Sequence, residues 1–397
     1  MTDNFSLTDL DLPVDGPQST RVVVAMSGGV DSAVAAALVK DAGYDVVGMT
    51  MQLYNAGTHA RRTKTCCAGQ DIYDARRTAD QLGIPHYVVN YEATFMGDVI
   101  AAFADSYMVG ETPVPCVLCN QTVKFRDLIK AARDLGASAL VTGHYVRRLA
   151  TPRGPELWKG RDHSRDQSYF LFATTHEQLA FLRFPLGELG KHETRTLARR
   201  YGLTVSDKPD SQDICFVPDG NYARVVRELR PESHMPGEII HIDGTVVGQH
   251  DGIINFTVGQ RRGLDVGGTK ERLYVVRIDP EGRRVFVGPR SALGQARFPV
   301  RQVNWLAHYG GISPQGASVS VKVRNSSHPV HATVFSRPGN SAEIFLDMPV
   351  DSIAPGQACV FYDGERLLGG GWIARKPPWE TTGPSPVASE CDQTSVP

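Results

Sequence analysis

Several things are scarce in this sequence, and each scarcity narrows the reading. No apolar run in the 397 residues approaches the ~20 that a membrane-spanning helix needs. The first twenty residues have neither a basic start nor an apolar core, so no signal peptide is expected; a cytoplasmic protein with no membrane partner is. Cysteines number seven, at positions 66, 67, 116, 119, 215, 359 and 391. An odd, scattered set in a long chain speaks against a disulfide framework and for reactive thiols or metal ligands. A second C-x-x-C is missing, so a zinc ribbon with four cysteines is not available. Positive charge is not in excess either: 42 Lys+Arg against 43 Asp+Glu leave a net charge of -1, unlike a general nucleic-acid binder. One local excess exists. From Arg147 to Lys208 there are 12 Lys/Arg and 7 Asp/Glu, a difference of +5. That strip reads either as solvated faces or as a surface for phosphates.

What is present organises into blocks. Apolar runs at Arg21–Ala25, Asp45–Leu53, His86–Asn90 and Ala139–Thr142 read as strands. Helical patterns at Ser32–Ala42, Asp71–Leu82, Met96–Met108 and Thr122–Leu135 alternate with them, and most end at a glycine stop. Strands separated by helices predict an α/β domain with a doubly wound parallel sheet. Beyond about residue 220 the pattern turns β-rich: Glu238–Ile242, Leu273–Ile278 and Arg284–Val287, then period-two runs over 319–325 and 329–335. The predicted organisation is a flexible N-terminus (1–20), a catalytic domain (21–222), a small central β-rich domain (223–290), a C-terminal β-barrel (291–376) and a disordered tail (377–397).

The sharpest motif is Ser27-Gly28-Gly29-Val30-Asp31-Ser32, set between the first strand and the first helix. A helix N-terminus presents unpaired N–H groups and partial positive charge to an anion. Gly28 and Gly29 let the backbone come close to phosphates, and Ser27 and Ser32 add hydroxyls. Asp31 suits a phosphate cradle only as a positioning group or a Mg²⁺ ligand. The lysine of a kinase-type P-loop is absent. The order SGGVDS resembles the PP-loop ATP pyrophosphatase superfamily, whose members bind ATP, adenylate a carbonyl oxygen and release pyrophosphate. Met51, at the end of the second strand, and Gly143, after the fourth, lie where open α/β sheets place ligands.

Cys116-Val117-Leu118-Cys119 is a C-x-x-C, and Cys215 follows a polar turn far along the chain. Sulfur transfer needs one thiol to carry a persulfide and another to attack it, both accessible. Cys119 and Cys215 suit these roles if the fold unites them beside the nucleotide. Cys66 and Cys67 read as a loop or structural pair, Cys359 as a core strand residue.

At these residues the chain resembles the MnmA-type tRNA-specific 2-thiouridylases. The resemblance runs through AMSGGVDS (25–32), CC-x₃-D (66–71), TPVPCVLCN (112–120), KFRDL (124–128), TGHYVR (142–147), RDQSYFL (165–171), KPDSQDICF (208–216), FTVGQRRGL (256–264) and LGGGW (368–372). It implies thiolation at C2 of the wobble uridine in tRNAs for Lys, Glu and Gln, with tRNA bound through its anticodon stem-loop. Sulfur would come from a cysteine desulfurase or a relay protein. By position, Ala25, Met26, Ser27, Gly28, Gly29, Val30, Asp31, Ser32, Met51 and Gly143 would bind ATP, with Mg²⁺. Cys119 matches the attacking cysteine and Cys215 the persulfide carrier. Val114, Pro115 and Cys116 fall where the family meets the target base; Arg165, Asp166 and Gln167, and Arg324 and Asn325, fall on tRNA-contacting segments. Many relatives carry Asn-Pro-Asp where this chain has Val114-Pro115-Cys116, which puts the acid/base role of that Asp in question here. Cys116, Cys119 and Cys215 together are also a candidate ligand set for an iron–sulfur cluster. Two other readings stay open on the residues alone: a PP-loop synthetase adenylating a small-molecule carbonyl, and a non-catalytic RNA-binding or cluster scaffold.

Overall fold

The computed structural model describes residues 11–12, 19–54, 67–210, 214–217, 220–266, 271–307 and 315–377. The expectations for Cys66, for Cys391, for the tail and for most of the first twenty residues lie outside them, as does any account of the Cys67 side chain.

Val22, Val23 and Val24 explain the centre of the first domain. Successive strand residues point to opposite faces, and all three are fully buried. The strand β1 (Arg21–Ala25) is therefore covered on both sides: Val23 joins one core with Val47 and Leu140, while Val22 and Val24 join another with Val46 and Val141. Around it runs a five-stranded sheet in the order β3-β2-β1-β4-β7, parallel throughout. Its other members are β2 (Asp45–Gln52), β3 (His86–Asn90), β4 (Ala139–Val141) and β7 (Leu182–Arg183). The doubly wound sheet expected from the sequence is present. Its fifth strand, two residues long, is too short to show any periodicity.

Helix α1 (Val30–Asp41) follows β1, and α2 (Cys67–Leu82) precedes β3. Two helical runs are longer than the sequence pattern predicts. One covers Glu92–Phe95, Met96–Ala101 and Ala102–Met108; the other covers Pro115–Cys119, Asn120–Leu128 and Ile129–Asp134. The second begins with proline at its first position, where the missing N–H costs nothing. Both contain π-helical stretches, Met96–Ala101 and Asn120–Leu128.

The hairpin β5 (Val146–Thr151) and β6 (Gly154–Lys159) leaves this domain and extends another sheet. That sheet is the C-terminal barrel: β12 (Gly294–Trp305), β13 (Ala317–Lys322), β14 (Val330–Arg337), β15 (Ser341–Asp351), β16 (Ala358–Asp363) and β17 (Arg366–Ile373). Pairing of β12 with β17 closes six strands, and Arg366 of β17 meets Trp158 of the hairpin. Between the two lies a four-stranded sheet, β10-β11-β8-β9, formed by β8 (Gly237–His241), β9 (Val246–His250), β10 (Tyr274–Asp279) and β11 (Arg284–Gly288).

First domain and barrel share one core. Val117, Phe125 and Leu140 belong to the same buried cluster as Val360, Tyr362 and Leu367. The Tyr169 hydroxyl donates to the Ala358 carbonyl at 3.0 Å, and Asn304 Nδ2 donates to the carbonyls of Phe172 and Thr174 at 2.7 and 2.8 Å.

Candidate active site: a phosphate loop beside three thiols

The turn after β1 is held open by its own hydroxyls. Ser32 Oγ accepts the Ser27 N–H at 3.0 Å and lies 3.2 Å from Ser27 Oγ. Gly28 has φ +73°, and a Cβ there would sit 2.1 Å from the Asp71 carbonyl oxygen. The loop thus presses its backbone on the start of α2, an approach only glycine allows. Gly143, following β4, closes the other flank: a Cβ there would lie 2.8 Å from the Ser32 amide nitrogen. The start of α1 carries no side-chain cap, so its first N–H groups are left for an anion.

Asp31 does not point away as a lone carboxylate. Lys191 Nζ donates to both its oxygens, at 2.7 and 2.9 Å, and the Tyr145 hydroxyl donates at 2.8 Å. Lys191 also reaches Asp210 at 2.7 Å, which Arg165 and Arg195 approach at 2.9 and 3.1 Å. Burial and the Asp31 charge push the Tyr145 phenol far above its ordinary range, so it stays a donor. A second cation, Lys208, donates to the Gly28 carbonyl at 2.9 Å, to Asp71 at 2.7 Å and to Asp74 at 2.5 Å. Lys191 and Lys208 border the phosphate loop, and sequence reasoning missed both. Lys208 and Asp210 precede Cys215 by seven and five residues in the sequence.

Met51, at the end of β2, packs against the cluster of Phe95, Val99, Ile100, Cys119 and Val123. Leu118, Tyr54 and Phe216 pack against the same cluster, and the Tyr54 hydroxyl donates to the Cys215 carbonyl at 3.3 Å. The strand end expected to face a nucleotide and the two distant thiol segments therefore meet at one place. Cys119 is buried, while Cys116 and Cys215 are exposed on part of their surface. Protein nevertheless encloses each sulfur enough for desolvation to dominate its acidity. Burial raises the Cys116 and Cys119 thiols and pushes Cys215 up to about 12, with the neighbouring charges of Cys119 and Cys116 adding to it. Lys124 opposes this at all three thiols. It also lowers the buried His144, chiefly desolvated, well below the ordinary imidazole range.

The family assignment follows from sequence comparison. Residues 20–219 match the tRNA methyl transferase HUP domain, 224–289 the tRNA methyl transferase PRC-barrel domain and 295–373 the aminomethyltransferase β-barrel domain. A tRNA-specific 2-thiouridylase MnmA of Rhodospirillum centenum is 60% identical over 90% of this chain and 93% of its own. That of Parvibaculum lavamentivorans is 57% identical over 93% and 94%. This chain belongs to the tRNA-specific 2-thiouridylase family. A solved complex of a 4-thiouridine synthetase with RNA and bound ATP overlays on 54% of this chain and 51% of its own, at 17% identity and a TM-score of 0.35, too weak a likeness to carry an argument.

Two alternatives left open by the sequence can be set against the structure. Among the described residues no group of three His, Cys, Asp or Glu side chains is arranged to hold a metal ion. Cys116, Cys119 and Cys215 are neighbours, and nothing in their arrangement supports an iron–sulfur cluster. The basic strip from Arg147 to Lys208 is also largely neutralised: Arg147 meets Glu365, Arg161 meets Glu193 and Arg199 meets Asp207, besides the pairs of Arg165, Lys191, Arg195 and Lys208 given above. The solvated-face reading describes most of it.

Residues on the segments that the family resemblance assigns to tRNA have internal partners. Asp166 accepts the N–H groups of Gly160 and Ser168, each at 3.1 Å, and the Ser168 hydroxyl at 2.8 Å. Gln167 accepts the Tyr145 N–H at 2.9 Å. Arg324, in the turn between β13 and β14, donates to the Ser352 carbonyl, while its neighbour Asn325 is exposed. Val114 and Pro115 are buried at the start of the helix and Cys116 stands exposed beside them.

Proposed function

We propose that this chain thiolates C2 of a uridine in tRNA, the wobble uridine of the tRNAs for Lys, Glu and Gln, at the expense of ATP. The observation that carries the reading is the junction at Met51, where the nucleotide side of the sheet adjoins the thiols. ATP places its phosphates on the turn from Ser27 to Ser32, and Gly28 and Gly143 leave the space. Mg²⁺ supplies neutralising charge on those phosphates when bound; Asp31 is the nearest loop carboxylate, and Lys191 and Tyr145 hold it in place.

The uridine leaves the anticodon stack, and its O2 attacks the α-phosphate. Pyrophosphate departs and the base carries AMP. A cysteine desulfurase, directly or through a relay protein, loads Cys215 as a persulfide. The Cys119 thiolate attacks the inner sulfur of that persulfide, hydrosulfide departs and adds to C2, and AMP leaves. Alternatively the terminal sulfur attacks C2 first and Cys119 then cleaves the S–S bond. Either route leaves a Cys119–Cys215 disulfide, which two electrons from outside must reduce. Lys124 favours the thiolates that both routes need.

No helix among the described residues is long and apolar enough to cross a membrane, which suits an enzyme that meets tRNA in the cytoplasm. Incubating the protein with unmodified tRNA, ATP and a sulfide donor tests the assignment. Nucleoside mass spectrometry should show 2-thiouridine, with one AMP formed for each. AMP formation without a thiolated nucleoside would overturn it.

A further inference from the structure

We propose that Cys116 is a resolving thiol, which opens the Cys119–Cys215 disulfide and returns Cys215 for reloading. This rests on the sulfur-transfer reading above. Transfer leaves one sulfur of that disulfide buried, because Cys119 sits in the cluster with Phe95, Val99, Ile100 and Val123. A soluble reductant meets poor access on that side. Cys116 is already inside the site, and part of its surface is exposed.

Geometry favours the exchange. Cys116 and Cys119 lie one turn apart on the helix that starts at Pro115. Residues three apart on a helix have Cβ atoms ~5–6 Å apart, and a disulfide needs ~3.5–4.5 Å. Cys116 is the second residue of that helix, in the turn whose N–H groups have no intrahelical acceptor, so a small rotation there closes the gap. Cys215 is held to the same place, since its neighbour Phe216 packs on the Cys119 cluster and Tyr54, which packs there too, donates to the Cys215 carbonyl at 3.3 Å. A purely structural cysteine would be buried, as Cys359 is.

The step balances. The Cys116 thiolate attacks Sγ of Cys119, the Cys119–Cys215 bond breaks, and Cys215 leaves as a thiolate that takes a proton. There is no net oxidation. A small-molecule or protein dithiol then attacks the Cys116 sulfur, ends as a disulfide itself, and restores two thiols at Cys116 and Cys119. The rearrangement frees Cys215 for reloading and leaves a disulfide whose exposed end is Cys116.

The test uses full-length protein loaded with persulfide on Cys215, then given ATP and unmodified tRNA without reductant. Samples are quenched with an alkylating agent over time and mapped by non-reducing peptide mass spectrometry. In the wild type a Cys119–Cys215 link should appear and then give way to an internal Cys116–Cys119 disulfide, as Cys215 becomes alkylated. In Cys116→Ser the Cys119–Cys215 link should persist. A wild-type protein that keeps the Cys119–Cys215 link, with Cys116 alkylated throughout, overturns the proposal. Thiolated tRNA from Cys116→Ser with no Cys215 disulfide at any time overturns the sulfur-transfer reading, and the proposal with it.

Discussion

At Cys215 the protein stores a thiol that is nearly all protonated at neutral pH, since burial pushes its pKa up to about 12. The thiolate is the reactive form. In the resting protein Cys215 should therefore alkylate at least about tenfold more slowly at pH 8 than free cysteine, whose pKa is ~8.5; equal rates would contradict the enclosed site. Lys124 works the other way, and its sign is fixed: a cation stabilises thiolate and lowers pKa. Lys124→Gln should shift the alkylation profiles of Cys116, Cys119 and Cys215 to higher pH, and unmoved profiles would remove Lys124 from the site. Cys119→Ala and Cys215→Ala should each abolish 2-thiouridine while equilibrium ATP binding survives. The cysteines and the SGGVDS turn were legible in the sequence because chemistry and spacing both mark them. Lys124 was not. It lies five residues past Cys119 in a π-helical stretch, where i→i+5 bonding returns such a residue to the same face, whereas α-helical counting turns it away.

At the level of elements, the phosphate loop and the start of α2 form one unit tied by Lys208. Its three acceptors come from the loop, at Gly28, and from α2, at Asp71 and Asp74. Lys208→Met should leave two carboxylates beside the phosphates unpaired and raise the KM for ATP more than it lowers kcat; steady-state kinetics of AMP release would show the opposite split if Lys208 served the chemistry instead. Gly28→Ala asks a side chain to adopt φ +73° and to overlap the Asp71 carbonyl. The conformation alone costs ~1–2 kcal/mol, and the overlap adds to it, so ATP binding should be lost in calorimetry. The first four strands and the helices among them were readable because each carries an apolar run or period, and several of the helices stop at a glycine; the two-residue fifth strand was not. The ion pairs of Lys191 and Lys208 were not, since their partners lie far away along the chain.

On the scale of the whole molecule, the three-block organisation of the sequence hides a shared structure. The hairpin Val146–Thr151 and Gly154–Lys159 belongs by sequence to the first domain and by pairing to the barrel sheet. Phe172 is fully buried and packs its ring on Trp372 at 5.4 Å. No local pattern announces either contact, because strand register between remote segments leaves no mark on a single sequence. Within RDQSYFL (165–171), Ser168 and Tyr169 hydrogen-bond with Tyr362 and Ala358 of the barrel, each at 3.0 Å, so the segment serves the interface between domain and barrel as well as any contact with RNA. A fragment ending at residue 222 should melt well below the full chain, or fail to fold, as scanning calorimetry would show; equal melting temperatures would mean that the shared core contributes little.

The account stands on Cys215 handing its sulfur to a base activated at the adjoining phosphate loop. The direct measurement is a chase: Cys215 is loaded with isotopically labelled sulfur, and ATP and tRNA are added with unlabelled sulfide in excess. The label should pass to C2 of uridine, with one AMP formed per labelled atom. Label remaining on Cys215 while tRNA gains unlabelled sulfur would contradict it.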